Sequence, residues 1–460
     1  MTNFSSIQLR NWRQFDAVEI EFHPRLTVIT GSNGAGKSTI LNICSQHFGF
    51  SRPFLATPKK KKGGGYAYDL GFLSTTDLSN LLDDPFTEDD DEDEARIRDL
   101  ADADVVPTHR VNYDSLYPPI APGSFITVGS IKYSNGQHSD IGFHEQQTQA
   151  YGLQINSQQA VEGVPISSHR VVSPYQAVEN LSLQLITAAN AYSSFFSEYV
   201  QRLQGGNTQR SPIYRMKETL IAMAAFGEGN SHLERNAQLS TAFEGFGIIL
   251  RKVLPKELGF QKLVVRVPDI IIKTRSGEFV IDASSGGVTA IIEIAWQVYL
   301  YSLSNESFVV TLDEPENHLH PTMQRTILSN LISAFPNVQF IVATHSPFIV
   351  SAVEDSKVYA LKYMGAVGQS GFPVRGPRRV QSIALDEARK GGSAGEILRE
   401  VLGVSVSMPD WAATKLQAIV EEFSKTEIVP ATLKHLRARL SEAGFSEYYP
   451  DALERLVRNK

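Results

Sequence analysis

The sequence predicts an α/β fold: a central, mostly parallel sheet flanked by helices, with an antiparallel sheet from the N-terminal region, a helical insertion and a C-terminal helical domain. Three observations carry this expectation. The apolar run Leu26-Thr27-Val28-Ile29-Thr30 leads straight into Gly31-Ser32-Asn33-Gly34-Ala35-Gly36-Lys37-Ser38-Thr39 and then into helical spacing. Residues 308–312 and 338–343 are continuously rather than alternately apolar, which marks strands covered on both faces. Amphipathic stretches at 289–303 and 321–335 alternate with these strands, in the order expected of a parallel sheet.

Along the chain, Ile7-Gln8-Leu9 and Val18-Glu19-Ile20-Glu21-Phe22 alternate in polarity and read as two antiparallel strands feeding the buried strand at 26–30. With the glycine-rich loop and a helix over 37–48 they form the N-terminal part of the core, 1–50. Residues 51–110 read as a low-complexity, mobile insertion: Lys59 to Lys62, Gly63 to Gly65, then an acidic run with one short helix at 93–100. From Asp83 to Asp104, twelve acidic residues stand against two arginines. A solvated loop is the expectation; an electrostatic dock, or a nucleic-acid mimic lying in a basic groove, is the alternative.

Residues 111–185 carry short alternating segments at 125–133, 140–143, 151–155 and 161–167, expected to form antiparallel strands. Residues 186–260 turn helical, with Tyr192, Phe195, Phe196, Tyr199 and Leu203 on one face, and form an insertion. Strand pattern returns over 261–362, first at 263–267, 270–273 and 279–282, then in the buried strands that mark the central sheet. Residues 363–460 are expected to be helical, at 395–402, 411–423, 430–443 and 450–457, and to dock a partner.

Composition narrows the class. A chain of 460 residues, 42% apolar and 20% charged, is ordinary for a soluble globular protein of two or three domains. The net charge of −7 is concentrated in the acidic run, leaving the remainder mildly basic. No apolar segment reaches the roughly 18 residues of a membrane helix, and the N-terminus lacks a signal-peptide pattern, so a cytoplasmic protein without membrane contact is expected. The single cysteine, Cys44, excludes an intrachain disulfide and reads as a buried structural thiol among Ile40, Leu41 and Ile43.

The chemistry concentrates in a few motifs. Gly31 to Thr39 satisfies G-x-x-x-x-G-K-[ST] between a strand and a helix. The glycines allow the backbone N–H groups around Asn33, Gly34, Ala35 and Gly36 to curl round a phosphate, and the helix start adds its positive end. Lys37 would reach the β- and γ-phosphates of a nucleotide and the Ser38 hydroxyl would ligate Mg²⁺. A glycine-rich surface turn would not explain Lys and Ser in tandem at a helix start. Val309-Val310-Thr311-Leu312-Asp313-Glu314 is an apolar strand ending in two carboxylates. Their side chains diverge, so Asp313 can hold Mg²⁺ with Ser38 while Glu314 orients or deprotonates an attacking water.

Taken in order, Ile7 to Phe15, Gly31 to Thr39, Ser284-Ser285-Gly286-Gly287, Leu312 to Pro321 and Ala343-Thr344-His345-Ser346-Pro347 resemble the motifs of the ATP-binding-cassette (ABC) ATPases. The resemblance spans residues 1 to about 362 and lies in the branch containing SMC proteins and the OLD-like ATPases of prokaryotic anti-phage defence. It implies an ABC-type P-loop head that binds ATP and Mg²⁺. Ser284, Ser285, Gly286 and Gly287 would be the signature motif, acting on ATP held by a second copy, so the resemblance implies a head-to-head dimer, or a higher oligomer of dimers, with Glu316, Asn317 and His318 at the seam. His345 would be the switch histidine that reports the γ-phosphate, and Arg10 and Arg13 would meet the adenine. Two departures from the family pattern, Ala283 for the usual leucine and Gly287 or Val288 where a polar residue is usual, imply slow turnover. The glutamine that touches Mg²⁺ in relatives has three candidates, Gln137, Gln146 and Gln176.

The expected function follows from the same resemblance: an ATPase subunit of a defence module of the Septu or PARIS kind, whose ATP-bound dimer holds or releases a separately encoded nuclease. Asp386-Glu387, Glu396 and Glu400 fall in expected helices without the strand-end acidic pattern of an OLD-like nuclease domain, so nuclease chemistry is expected on a partner. Nucleic acid would then be met indirectly. The alternative is an SMC-like DNA-binding or repair ATPase that clamps duplex DNA, with Lys252, Lys256, Lys262, Arg266 and Lys273, or Arg375, Arg378 and Arg379, as its basic stripe.

Overall fold

Eleven strands hydrogen-bond into one sheet, in the order Gln154–Ile155, His138–His144, Phe125–Tyr133, Phe4–Trp12, Phe15–Glu21, Arg379–Ala384, Lys357–Met364, Leu26–Gly31, Val338–Thr344, Phe308–Asp313 and Gly163–Ile166. The structure is a computed structural model that describes residues 2–60, 66–69, 125–144, 149–169, 174–181, 187–203, 206, 208–364, 379–402, 410–424 and 429–458. The acidic run 83–104, Gly63 to Gly65, Gln146, Arg375 and Arg378 lie outside them. From Lys357–Met364 to Gly163–Ile166 every neighbouring pair is parallel. At the other side the five strands from Gln154–Ile155 to Phe15–Glu21 are antiparallel. This is the mixed architecture that the sequence predicts.

Two segments differ from expectation. The stretch at 161–167 does not join the antiparallel strands; Gly163–Ile166 lies parallel to Phe308–Asp313, Val164 opposite Val310, at the sheet's edge. An edge strand tolerates Pro165, which cannot donate to a ladder. Residues 379–384, assigned to a helical region, instead form the strand between the two halves, antiparallel to Lys357–Met364 and parallel to Phe15–Glu21. Only Val380 of this strand is buried, so it carries no apolar run by which a strand is recognised. Its neighbours on both sides supply the pairing that its own sequence does not advertise. The first compact unit accordingly runs to Gly392, and a second comprises Ser393–Lys460.

The N-terminal hairpin is positioned by burial. Phe4, Ile7, Leu9, Trp12 and Phe15 pack in one cluster with Ile29, Ile40, Ile43, Cys44, Ile341 and Leu361, which fixes the hairpin against the strand and helix that flank the glycine-rich loop. Truncating a fully buried aromatic such as Trp12 would cost about 3–5 kcal/mol. Burial pushes the Cys44 thiol far above its usual range, as suits a structural rather than a reactive sulfur.

The insertion consists of helices Ala188–Leu203, Pro212–Glu228 and Ala237–Val253, the last two started by caps on Ser211 and Asn236. A three-stranded antiparallel sheet, Phe260–Arg266, Asp269–Thr274 and Gly277–Val280, packs on them and leads through a short turn into helix Gly286–Ser302. In the second unit, helices Asp410–Ser424, Pro430–Glu442 and Tyr449–Arg458 enclose Leu416, Ile419, Val420, Leu436, Leu440 and Leu456, while Trp411 is 61% exposed. No helix among the described residues is long and apolar enough to cross a membrane.

Candidate nucleotide site

The parallel strands bring the separated motifs to one edge of the sheet. Thr30 pairs with Thr344, Ala343 with Asp313, and Leu312 with Ile166. Hence the glycine-rich loop, Asp313-Glu314, His345 and Ser167 all follow the carboxyl ends of adjacent strands, where ligands of open α/β sheets bind.

The loop is shaped by its contacts. Gly36 has φ 97°, and a Cβ there would strike the Phe15 ring and the Gln14 side chain, so only glycine lets the hairpin approach. Ser32, Asn33 and Gly34 form the exposed rim, Ala35 is buried, and Lys37 begins the helix Lys37–Ser45. The Lys37 ammonium donates to the Gly31 and Ser32 carbonyls at 3.0 and 3.1 Å. Burial lowers its pKa to about 8, against the attraction of Asp313, Glu314 and Glu316. Thr39 is half-buried in the first turn of the helix.

Ser38 Oγ donates to Asp313 Oδ2 at 2.9 Å. Asp313 Oδ1 is buried with no hydrogen-bond partner, and burial raises the carboxyl's pKa, offset in part by the Ser38 bond. A carboxylate oxygen left without a donor, beside a serine hydroxyl and below a phosphate-sized loop, fits a hard divalent cation such as Mg²⁺.

Glu314 stands at φ 46°, in the left-handed region that a non-glycine residue occupies at a cost of about 1 kcal/mol. Its N–H donates to the Ala343 carbonyl and its Oε2 accepts from Asn317 at 3.0 Å, which hold this conformation. The carboxylate is thereby turned toward His345, with Oε1 3.8 Å from Nε2. Burial and the nearby Lys37 lower the His345 pKa, against the pull of Glu314, which favours the neutral ring.

Glu316, which motif reading placed at a dimer seam, has an internal task. Its Oε1 accepts from Thr344 Oγ1 at 2.7 Å and from the backbone N–H groups of His345 and Ser346 at 2.7 and 3.1 Å. One carboxylate thus fixes the turn that carries His345. The signal was available as a third acidic residue in the Asp-Glu-Pro-Glu run, but its partner lies 29 residues away. Asn317 bridges Glu314 and the Ser168 carbonyl, and the His318 side chain is exposed.

The remaining candidates separate into near and far. Ser285 is the exposed N-cap of helix Gly286–Ser302 and spends no side-chain bond on capping, whereas Ser284 Oγ is buried. Ser285 and Gly286 are exposed, and Gly287 is packed against the His318 backbone. Arg10 is an exposed strand residue. The Arg13 guanidinium lies over the Trp12 and Phe54 rings and donates to the Leu55 carbonyl, so it stacks on its own core. Gln176 spends its amide on the Gln209 carbonyl and the Ser211 N–H, and Gln137 lies in the hairpin turn after Phe125–Tyr133. Neither is brought to the loop by these bonds. Two residues that sequence reading passed over do stand close: Tyr363, whose hydroxyl lies beside Gly34, and Arg52, which lines a small cleft with Ser38 and Asp313.

This sheet order and this edge together describe an α/β nucleotide-binding head and agree with the ABC type that the motifs resemble. The chain is similar to known proteins in the same segments. Residues 6–74 match the family described as "AAA domain" (AAA_23), and residues 294–351 match that described as "AAA domain, putative AbiEii toxin, Type IV TA system" (AAA_21). The chain is 33% identical over 109 residues to the Retron Vc95 probable ATPase of Vibrio cholerae serotype O1 biovar El Tor, covering 21% of each chain. It is 30% identical over 108 residues to the Retron Ec83 probable ATPase of Escherichia coli, covering 24% of this chain and 17% of the relative. To the Septu protein PtuA of Bacillus thuringiensis it is 26% identical over 196 residues, covering 40% and 48%. It thus spans about half or less of the length of these relatives. Solved structures similar to it include the SMC head domain from Thermotoga maritima, with a TM-score of 0.39 and 13% identity over 84% of this chain and 99% of that one. The Smc head with an extended coiled coil bound to the C-terminal domain of ScpA, derived from Pyrococcus furiosus, has a TM-score of 0.40 and 15% identity over 87% and 100%. The resemblance to ABC/AAA-type ATPases of defence systems holds.

Proposed function

We propose that the chain is an ATPase of a prokaryotic anti-phage defence module, in which two copies sandwich ATP and the nucleotide state holds or releases a separately encoded nuclease. The observation that carries hydrolysis is the Glu314–His345 pair, 3.8 Å apart at the same sheet edge as the Lys37 loop. Lys37 and the amides of residues 33–39 bind the phosphates. Ser38 and Asp313 would hold Mg²⁺, which would offset phosphate charge. Glu314 takes the proton of the attacking water, and neutral His345, held by Glu316, reports the γ-phosphate. Ser285, Gly286 and Gly287 present a serine hydroxyl and a helix N-terminus to ATP on the second copy. The defence role is supported by the names of the relatives, and the nuclease partner by the resemblance to that branch.

Size-exclusion chromatography tests the sandwich: a chain of 50.8 kDa should move to a dimer or larger species when ATP and Mg²⁺ are added. Elution as a monomer under all nucleotide conditions sinks it. Against the DNA-clamp alternative, Arg266 and Lys273 of the first basic stripe are both paired with Glu278.

The Lys37 ammonium also sets a pH dependence. Its pKa in the folded chain is about 8, and bound phosphates raise it, so binding takes up a proton above that pH. ATP affinity is expected to be flat below about pH 8 and to fall by up to about tenfold per pH unit above it. Titration calorimetry at pH about 7 and about 9.5 measures the difference; equal affinity at both would show that the Lys37 charge does not contribute.

A further inference from the structure

Lys217, in helix Pro212–Glu228, is completely buried, an unusual place for an ammonium group. Its Nζ lies 2.8 Å from Asp282 Oδ2 and 3.1 Å from Asp269 Oδ1, donates to the Gln176 carbonyl at 2.6 Å, and sits 4.8 Å from the centre of the Tyr175 ring. Tyr175 in turn donates to Asp269 Oδ2 at 2.8 Å. One cation therefore ties its own helix to three other pieces of chain, at Tyr175 and Gln176, at Asp269 and at Asp282. Helix Pro212–Glu228 belongs to the insertion, and Asp269 begins the middle strand of the three-stranded sheet. Asp282 lies in the one-turn helix Ile281–Ala283, two residues ahead of Ser284 and three ahead of Ser285.

A buried ion cluster of this kind is weak evidence for stability. Taking the charges out of water costs about as much as their attraction returns, and its better-attested use is to select one geometry. The neighbouring residues extend the connection: Arg215 joins Glu198 of helix Ala188–Leu203 to Glu218, which is itself buried. The Gln176 side chain accepts from Ser211, the cap of the Lys217 helix. The contacts thus run without a break from these helices to the turn before Ser285.

Resting on the sandwich reading above, we propose that Lys217 is a positioning residue. Through Asp282 it holds the turn before helix Gly286–Ser302 so that Ser285 meets the γ-phosphate carried by a second copy, and it transmits displacement of the helical insertion to that serine. Lys217 touches no nucleotide bound in its own loop, so its loss should separate turnover from binding.

The test compares Lys217→Met, Asp282→Asn, Ser285→Ala and the double variant Lys217→Met/Ser285→Ala in the full chain. Lys217→Met is expected to keep ATP affinity within about twofold of the parent, while maximal turnover and ATP-dependent self-association fall at least about tenfold. The double variant should fall no further than Ser285→Ala alone, since both changes act through one serine. Should Lys217→Met not fold cooperatively, Asp282→Asn, which keeps the volume and the Lys217–Asp269 pair, is read in the same way. Full turnover in a folded variant, or effects that multiply in the double, would overturn the proposal. If Ser285→Ala itself leaves turnover intact, the sandwich reading fails and takes this proposal with it. If Ser285→Ala is inactive while Lys217→Met and Asp282→Asn are not, only the role of Lys217 is lost.

Discussion

Lys37→Ala is expected to lower ATP affinity at least about 100-fold, roughly 2.7 kcal/mol, because it removes the one buried cation of the phosphate loop. The fold should survive the change. The ammonium bears the cost of its own burial, as its pKa of about 8 records, and its two bonds go to the buried Gly31 carbonyl and the part-buried Ser32 carbonyl. Alanine removes that burial cost together with the bonds, so the melting temperature should move little. This makes the binding measurement interpretable. Calorimetry on the variant gives the answer directly: normal ATP affinity with normal hydrolysis would refute the nucleotide assignment at its centre.

Glu314→Gln should cut hydrolysis by about 10²- to 10³-fold while leaving ATP bound. The amide has the shape of the carboxylate and can still accept the Asn317 bond, so the strained backbone at φ 46° keeps its support. It cannot accept a proton from water. ATP retained through desalting, with earlier elution on size exclusion than the parent, is the expected result. An unchanged turnover rate would remove Glu314 as the base, and exclusively monomeric elution with ATP bound would remove the sandwich.

How much of this was legible in the sequence depends on how far apart the cooperating residues lie. The loop from Gly31 to Thr39 is contiguous, and its requirements are local: glycines where the backbone curls, a lysine and a serine at a helix start. Asp313-Glu314 was legible for the same reason, as two carboxylates closing an apolar strand. Glu316 was visible as a residue but not in its task, because the His345 turn it holds comes from the next strand of the sheet. Arg13 matched a motif, yet its guanidinium stacks on Trp12 and Phe54, a contact set by how the hairpin meets residues 54 and 55.

The strand at 379–384 and the edge strand at 163–166 show the same dependence on distance. The first draws its strand character from neighbours distant in sequence, Phe15–Glu21 and Lys357–Met364, and the second, a strand by its own pattern, draws its parallel pairing from Phe308–Asp313. By itself the sequence determined the α/β class, the strand-loop-helix that can cradle a phosphate, and the carboxylate pair, because periodicity and short-range backbone geometry depend on adjacent residues. That Ser285 and not Ser284 faces outward, that Glu316 holds the His345 turn, and that Lys217 reaches Asp282 emerged only from the folded chain. Those depend on burial and on pairings between segments tens to hundreds of residues apart, which exist only once the sheet has closed around them.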